Sequence, residues 1–158
     1  MKIWFDGPEK PLLIGQAPSR DTDGMPPFSG RSGKRIAMLM GISHDELRVR
    51  FALANILDSW PGKQGNGDAF PLELARKRGW QARTALKQRR VVAFGASVIK
   101  VLGYEPDDLM LLRFAYREAG NGKTAIAYVP HPSGVNRWWN DPDNAKRAQQ
   151  FLYKLARW

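Results

Sequence analysis

The sequence predicts an α/β fold in which helices cover a central sheet. Short apolar runs typical of buried strands alternate along the chain with segments that carry helix-start signals. Loops rich in glycine and proline separate these segments, and no internal repeat or low-complexity tract interrupts the order. The length of 158 residues suits one domain, so we expect a single domain over residues 1–158.

The first part of the chain contains two predicted strands and two short helices. Residues 12–14 form an apolar run that ends at a glycine, and residues 51–57 form a second such run. Between them, residues 33–40 predict a short helix. Residues 43–46 are a capping box that starts another brief helix, which makes His44 an exposed residue of a first turn.

A long helix and a strand–helix pair follow. Pro71 fits the first turn of a helix that reaches about residue 88. Residues 76–90 contain seven basic and no acidic side chains, which fits either a solvated helix face or a surface that faces phosphates. An apolar strand over residues 91–95 then leads into a helix over residues 96–102.

The C-terminal part predicts a strand pair and a final helix. Residues 111–118 and 124–129 are strand-like, and Asn121-Gly122 between them is a typical hairpin turn. Asp141-Pro142 supplies the N-cap and first position of a helix that runs to about residue 157.

Composition narrows the function classes. The net charge of +10, from 25 basic and 15 acidic residues, indicates a polyanionic partner such as nucleic acid, although some basic proteins bind none. The sequence has no cysteine and two histidines, which excludes disulfides, iron–sulfur clusters and thiolate zinc sites. We expect no cofactor and no metal. No apolar run approaches the roughly 20 residues of a membrane helix and no secretory signal is apparent, so we expect a cytoplasmic protein.

Two loops and one asparagine hold the candidate chemistry. Residues 15–33 are rich in glycine, proline and serine and follow a buried strand, where α/β sheets bind ligands. Phe28 is the isolated aromatic ring of this loop and could stack on a flat ligand. Asn55 ends another strand, and its amide could read a base edge or be an ordinary structural group. Residues 131–140 offer an imidazole, a hydroxyl, an arginine and two tryptophans.

These segments resemble the uracil-DNA glycosylase superfamily, and most closely its family-four-like branch. That branch has a Gly-Glu-Ala-Pro-Gly loop, a Pro-Phe-x-Gly-Arg-x-Gly segment, a strand ending in asparagine, a Val-Val-Ala-x-Gly-Ala turn and a late His-Pro-Ser or His-Pro-Ala loop. The matching positions, in the same order, are residues 15–19, 27–33, 55, 91–96 and 131–133. The resemblance implies a three-layer sandwich with a central four-stranded, mostly parallel sheet flanked by helices.

The resemblance also implies a reaction and roles for residues. The family flips a nucleotide out of DNA and hydrolyses its glycosidic bond, leaving an abasic site. Phe28 would stack on the flipped base, Asn55 would read its edge, and His131 would hydrogen-bond the base O2. Gln16 and Ala17 would lie beside the sugar and O2. The DNA-binding residues would be Ser32, Ser133, Gly134, Val135, Asn136 and Arg137, with Val135 entering the gap left by the base.

Further expectations follow from this assignment. The DNA is duplex or single-stranded, and the protein acts as a monomer. No motif lysine is placed for a Schiff-base step, so we expect a monofunctional enzyme that does not cut the strand.

The sequence departs from the family pattern at three points. A carboxylate expected in the first motif is replaced by Gln16 and Ala17, so Asp21 or Asp23 would have to substitute, or Gln16 would position water. A non-cleaving, DNA- or base-binding relative is therefore the alternative. Ser19 stands where the uracil-specific branch has a tyrosine, which predicts room for a pyrimidine enlarged at C5. The four cysteines of the family-four cluster are absent.

Overall fold

The computed structural model describes residues 1–7, 9–65, 67–107, 109–120, 122–133 and 136–158. The expected turn residue Asn121 and the expected DNA-binding residues Gly134 and Val135 lie outside these ranges.

Eight strands and five α-helices make up the described fold. The strands are β1 (Ile3–Trp4), β2 (Leu12–Gly15), β3 (Ala52–Asn55), β4 (Lys63–Gln64), β5 (Gly67–Asp68), β6 (Arg90–Phe94), β7 (Ala115–Ala119) and β8 (Gly122–Val129). The α-helices are α1 (Arg31–Met40), α2 (His44–Arg50), α3 (Leu72–Ala82), α4 (Ala96–Val101) and α5 (Pro142–Leu155). Short 3₁₀ helices cover Arg20–Thr22, Arg83–Leu86 and Arg137–Asn140.

The central sheet has the strand order β1-β3-β2-β6-β8-β7. The four inner strands, β3, β2, β6 and β8, are parallel and correspond to the four-stranded sheet that the resemblance implies. The sheet has six strands instead of four because β1 and β7 add antiparallel edges. The strands β4 and β5 form a separate two-stranded ribbon.

Helices cover both faces of the sheet, which confirms the three-layer arrangement. Side chains alternate between the two faces along each strand. In β2, Leu12 and Ile14 join one core cluster with residues of α3 and α4, whereas Leu13 joins the other with residues of α1, α2 and α5. All three of these β2 side chains are fully buried.

Three expected element bounds change in the structure. The helix from Pro71 ends at Ala82 and continues as a 3₁₀ helix, so it does not reach residue 88 as one α-helix. The strand-like run 111–118 is a strand only from Ala115, because Leu112 adopts a left-handed φ of 55° that breaks extended backbone. The second run, 51–57, is a strand only over β3.

The described helices are all too short or too polar to cross a bilayer. In the same part of the chain, no three His, Asp or Glu side chains converge as a metal site would require.

Candidate active site

The carboxyl ends of the parallel strands bring the motif residues to one edge of the sheet. Gly15 ends β2 and pairs in register with Asn55 at the end of β3. Gly95 follows β6, and its N–H donates to the carbonyl of Val129 at the end of β8 over 2.8 Å. Two residues beyond Val129 comes His131, so the two loops and the asparagine predicted from sequence meet here.

Gly15 allows the asparagine amide and the aromatic ring to approach the backbone. A Cβ atom at Gly15 would lie 2.5 Å from Oδ1 of Asn55 and 3.3 Å from Cζ of Phe28. Any larger residue would collide with the amide oxygen. The flat ring of Phe28 and the polar amide of Asn55 therefore both pack close to Gly15.

Asn55 is buried without using its amide. Its side chain is 8% exposed, and it makes no hydrogen bond to any other described residue. Its amide atoms still reach solvent, because among the described residues only Nε of Arg83 is an enclosed side-chain nitrogen or oxygen without a partner. The amide borders a cavity of about 210 Å³, whose other lining residues are Lys2, Trp4, Gly24, Met25, Pro27 and Asp58. The arrangement leaves a donor and an acceptor for a ligand.

The loop that carries Phe28 is wound tightly. Phe28 has a left-handed φ of 62°, which is uncommon for a bulky residue. Its ring packs edge-on against Phe94, with centroids 5.4 Å apart. Its carbonyl oxygen packs against Gly33 so closely that a Cβ atom added to Gly33 would lie only 1.7 Å from this oxygen. Phe28 is thereby fixed by its backbone as well as by its ring.

His44 holds the same carbonyl. Its Nε2 atom donates to the Phe28 carbonyl oxygen over 2.7 Å, and the side chain is half-buried. The expectation that His44 is an exposed first-turn residue is therefore wrong. The capping box itself is confirmed, because Ser43 and Glu46 bond each other's backbone N–H groups. The box places His44 at the start of α2, and the loop before α1 folds back onto it.

Gln16 is oriented by Ser97 of α4. Its Nε2 donates to the Ser97 hydroxyl over 2.9 Å, which leaves the amide oxygen without a partner among the described residues. A Cβ at Gly95 would lie 3.8 Å from Nε2 of Gln16 and 3.5 Å from Cβ of His131. Gln16 and His131 therefore both lie close to Gly95. Ala17 packs against the core beside them.

The His131 loop is held by hydrogen bonds to its backbone carbonyl groups. The His131 carbonyl accepts hydrogen bonds from Nδ2 of Asn136 and Nε1 of Trp139, each over 3.0 Å. Arg35 of α1 donates to the Pro132 carbonyl over 3.1 Å and stacks on Trp139 at 4.9 Å. These contacts secure the loop by packing and hydrogen bonds in a chain that has no cysteines.

Burial lowers the pKa of His131 below its ordinary value of 6.5. Desolvation disfavours the charged imidazolium, so the ring is neutral at pH 7. A neutral imidazole has one N–H donor and one acceptor. The imidazole makes no hydrogen bond to another described side chain or backbone group, so its donor can serve a ligand.

The match to a protein family covers almost the whole chain. The family model of the uracil DNA glycosylase superfamily matches residues 6–156. The chain belongs to this superfamily. A comparison with curated proteins found no match. Superfamily membership supports a DNA-glycosylase type of function and implies DNA binding.

The candidate DNA-binding residues differ in whether their side chains already bond other described residues. Asn136 uses both ends of its amide inside the loop, since its oxygen also accepts from the Trp138 N–H over 3.1 Å. Arg137 is exposed, and its side chain forms no hydrogen bond or ion pair with another described residue. Of this pair, Arg137 is the one available to DNA. Ser133 and Ser32 are half-buried, and their hydroxyls form no hydrogen bond to another residue that the structure describes.

The two candidate replacement carboxylates are already engaged. Asp21 is exposed and pairs with its neighbour Arg20 over 3.2 Å. Asp23 accepts from the backbone N–H of Trp60 over 2.9 Å. Within the described ranges neither bonds Gln16 or His131. Ser19 is exposed, and its hydroxyl bonds that of Thr22 over 3.0 Å, so no bulky side chain occupies its position.

Sequence reasoning missed three supporting residues of this superfamily site: His44, Ser97 and Arg35. Each acts through a contact between segments far apart in the chain, and Ser97 and Gln16 are 81 positions apart. Ser97 follows the Val-Val-Ala-x-Gly-Ala motif directly, and that position was the one signal available.

Proposed function

We propose that this chain is a monofunctional DNA glycosylase that removes uracil or a C5-modified pyrimidine and leaves an abasic site. The observation that carries the proposal is the amide of the buried residue Asn55, which has no partner among the described residues and lies, with the Phe28 ring, against Gly15. A flipped pyrimidine would supply both the missing hydrogen-bond partners and a ring for Phe28 to stack on.

The remaining groups support hydrolysis of the glycosidic bond. As the bond between C1′ and the base nitrogen breaks, its electron pair stays on the base. The neutral imidazole of His131 would donate a hydrogen bond to the base O2, where negative charge develops. The free amide oxygen of Gln16, set by Ser97, would orient the water that adds to C1′. The proton from that water would pass to the base anion.

The base pocket supports a pyrimidine larger than uracil. Ser19 is small, and its hydroxyl bonds that of Thr22 over 3.0 Å. A substituent at C5 would meet no side chain from the Ser19 position. Such a specificity would suit excision of modified bases, including those of phage DNA.

The test is a panel of oligonucleotides that each contain one target base. Uracil, hydroxymethyl-pyrimidines and glucosylated cytosine are offered in duplex and single strand, and alkali reveals abasic sites. We expect cleavage that His131→Ala and Asn55→Ala abolish and that Asp21→Ala and Asp23→Ala leave intact. Cleavage that resists both site variants would refute the assignment, and cleavage of uracil alone would refute the enlarged pocket.

A non-cleaving relative is the second candidate. The observation that favours it is the pair Gln16 and Ala17, which provides no carboxylate, together with the engagement of Asp21 and Asp23 elsewhere. Tight, base-selective binding with no alkali-labile product across the whole panel would select this function over the enzyme.

A further inference from the structure

The groove between α3 and α4 is a second surface with the features of a nucleic-acid site. Its opening encloses about 520 Å³. Three basic residues, one tryptophan and the end of α4 line it, namely Arg76, Lys77, Trp80, Gln81, Lys100, Val101 and Gly103. It contains none of the active-site residues described above.

A close helix contact builds this α3–α4 groove. A Cβ at Gly79 would lie 2.1 Å from the carbonyl oxygen of Val101, so only glycine lets the two helices pack at this distance. Trp80 follows directly and lies over Gly103, whose own Cβ would be 3.5 Å from the indole ring. Gly103 has a left-handed φ of 81°, so a side chain there would be strained.

Trp80 is exposed yet held in place. Its side chain is 66% exposed. The guanidinium of Arg83 stacks on the ring at 4.8 Å, and Arg83 is itself fixed by a 2.7 Å hydrogen bond to the Glu118 carbonyl and by contact with Tyr104. A ring that is already ordered loses little conformational entropy when it stacks on a ligand.

The cations of the groove are not neutralised by the protein. Arg76, Lys77 and Lys100 make no ion pair within the described residues, and neither does the nearby Glu73. In contrast, Arg78 on the same helix pairs with Asp58 over 3.8 Å. Unpaired cations around an exposed indole fit phosphates and an unpaired base, since a base within a duplex hides the face that an indole would stack on.

The groove lies within reach of the same strand of DNA as the active site. The α4 helix starts beside Gln16, where Ser97 bonds the glutamine amide. Val101, which lines the groove, lies four residues beyond Ser97 in α4, about 6 Å at the rise of an α-helix. A strand that leaves the catalytic edge can therefore follow α4 to the groove.

We propose that the α3–α4 groove binds an unpaired stretch of DNA beside the catalytic edge. Trp80 stacks on a base, and Arg76, Lys77 and Lys100 contact phosphates. This site is independent of the glycosidic reaction, and a binding measurement tests it whether or not the protein cleaves DNA.

The first experiment measures the affinity of unmodified single-stranded and duplex oligonucleotides by fluorescence anisotropy. Trp80→Ala should weaken single-strand binding by about tenfold or more and duplex binding far less. Trp80→Phe should recover most of the affinity, because phenylalanine keeps a stacking face. Trp158→Ala is the matched control, since Trp158 is also 66% exposed. Unchanged single-strand affinity in a folded Trp80→Ala protein, or an equal loss on duplex, would overturn the proposal.

The second experiment measures how single-strand affinity depends on salt. The triple variant R76A/K77A/K100A should reduce the slope of log K against log salt by about 2, at roughly 0.7 for each phosphate contact. The variant K146A/R147A/K154A removes the same charge from α5 and should reduce it less. Equal reductions in both variants would mean that the groove has no specific role.

Discussion

The imidazole of His44 and the backbone carbonyl of Phe28 are joined by a 2.7 Å hydrogen bond. The bond links the first turn of α2 to the residue that presents the stacking ring. Phe28 has a left-handed φ of 62°, which costs about 1–3 kcal/mol for a residue of this kind. The surrounding contacts must supply that energy, and the His44 bond is one of them.

We expect His44→Ala to weaken binding of an oligonucleotide that carries the target base by about fivefold. A single hydrogen bond contributes about 1 kcal/mol, and its loss would let Phe28 relax from its φ. The measurement compares the affinity for target and non-target oligonucleotides. Ser43→Ala is the control, because it removes the α2 cap at a cost of about 1 kcal/mol without touching Phe28. Equal losses of selectivity in the two variants would contradict a positioning role for His44.

We expect Gly33→Ala to destabilise the fold by about 1–3 kcal/mol or more. The added Cβ would lie 1.7 Å from the Phe28 carbonyl oxygen, which neither backbone segment can tolerate without moving. Urea denaturation measures the change. Gly67→Ala is the matched control, because nothing lies within 4 Å of its Cβ position, and it should change stability by no more than about 0.5 kcal/mol. Similar stabilities for both variants would show that the contact yields easily.

Local sequence signals were sufficient for the parallel core and its edge. Apolar runs identified β2, β3, β6 and β8, and the glycine, asparagine and histidine at or beyond their ends marked the site. The strand β1 could not be predicted, because two residues carry no periodicity and Ile3–Trp4 is a strand only through its pairing with β3.

The supporting contacts of the site were beyond local reasoning. A capping box accounts for Ser43 and Glu46 in sequence, but nothing in it indicates that the Phe28 carbonyl will lie over His44. The missing carboxylate was visible from Gln16 and Ala17, whereas the engagement of Asp23 by Trp60 required the folded loops.

We expect Asn55→Ala to abolish base selectivity and leave stability nearly unchanged. The amide makes no bond to a described residue, so its removal breaks none of those contacts. Thr124→Val provides the contrast at a second buried polar residue. Its hydroxyl bonds the Arg89 carbonyl over 3.0 Å, and the variant should lose about 1 kcal/mol. Thermal and urea unfolding check both, and a large loss of stability in Asn55→Ala would assign the amide a structural role.

We expect Gln16→Glu to raise the single-turnover rate of base release by about 10²-fold, because a carboxylate can act as a general base. The Ser97 hydroxyl now accepts from the Gln16 amide, and with glutamate it can rotate and donate to the carboxylate, which keeps the side chain oriented. With Gln16 retained, Ser97→Ala should lower the rate, because the Gln16 amide would lose the hydroxyl that orients it. A rate for Gln16→Glu no higher than for the unaltered protein would mean that water activation does not limit the reaction.

The acidic limit of activity should lie below pH 6.5. Burial lowers the pKa of His131 from 6.5. In the proposed reaction, the neutral imidazole donates a hydrogen bond to O2 of the base. As pH falls from 8, the rate should reach half of its plateau only below pH 6.5, the pH at which an ordinary histidine is half protonated. His131→Asn should be slower and lack this decline, since an amide does not titrate. The free energy of unfolding should also decrease as pH falls below 6.5. In that range the unfolded chain binds a proton at His131 more readily than the folded chain does. A rate that falls to half of its plateau at pH 6.5 or above in the unaltered protein, with no such fall in His131→Asn, would show that burial does not lower the pKa of the functional imidazole.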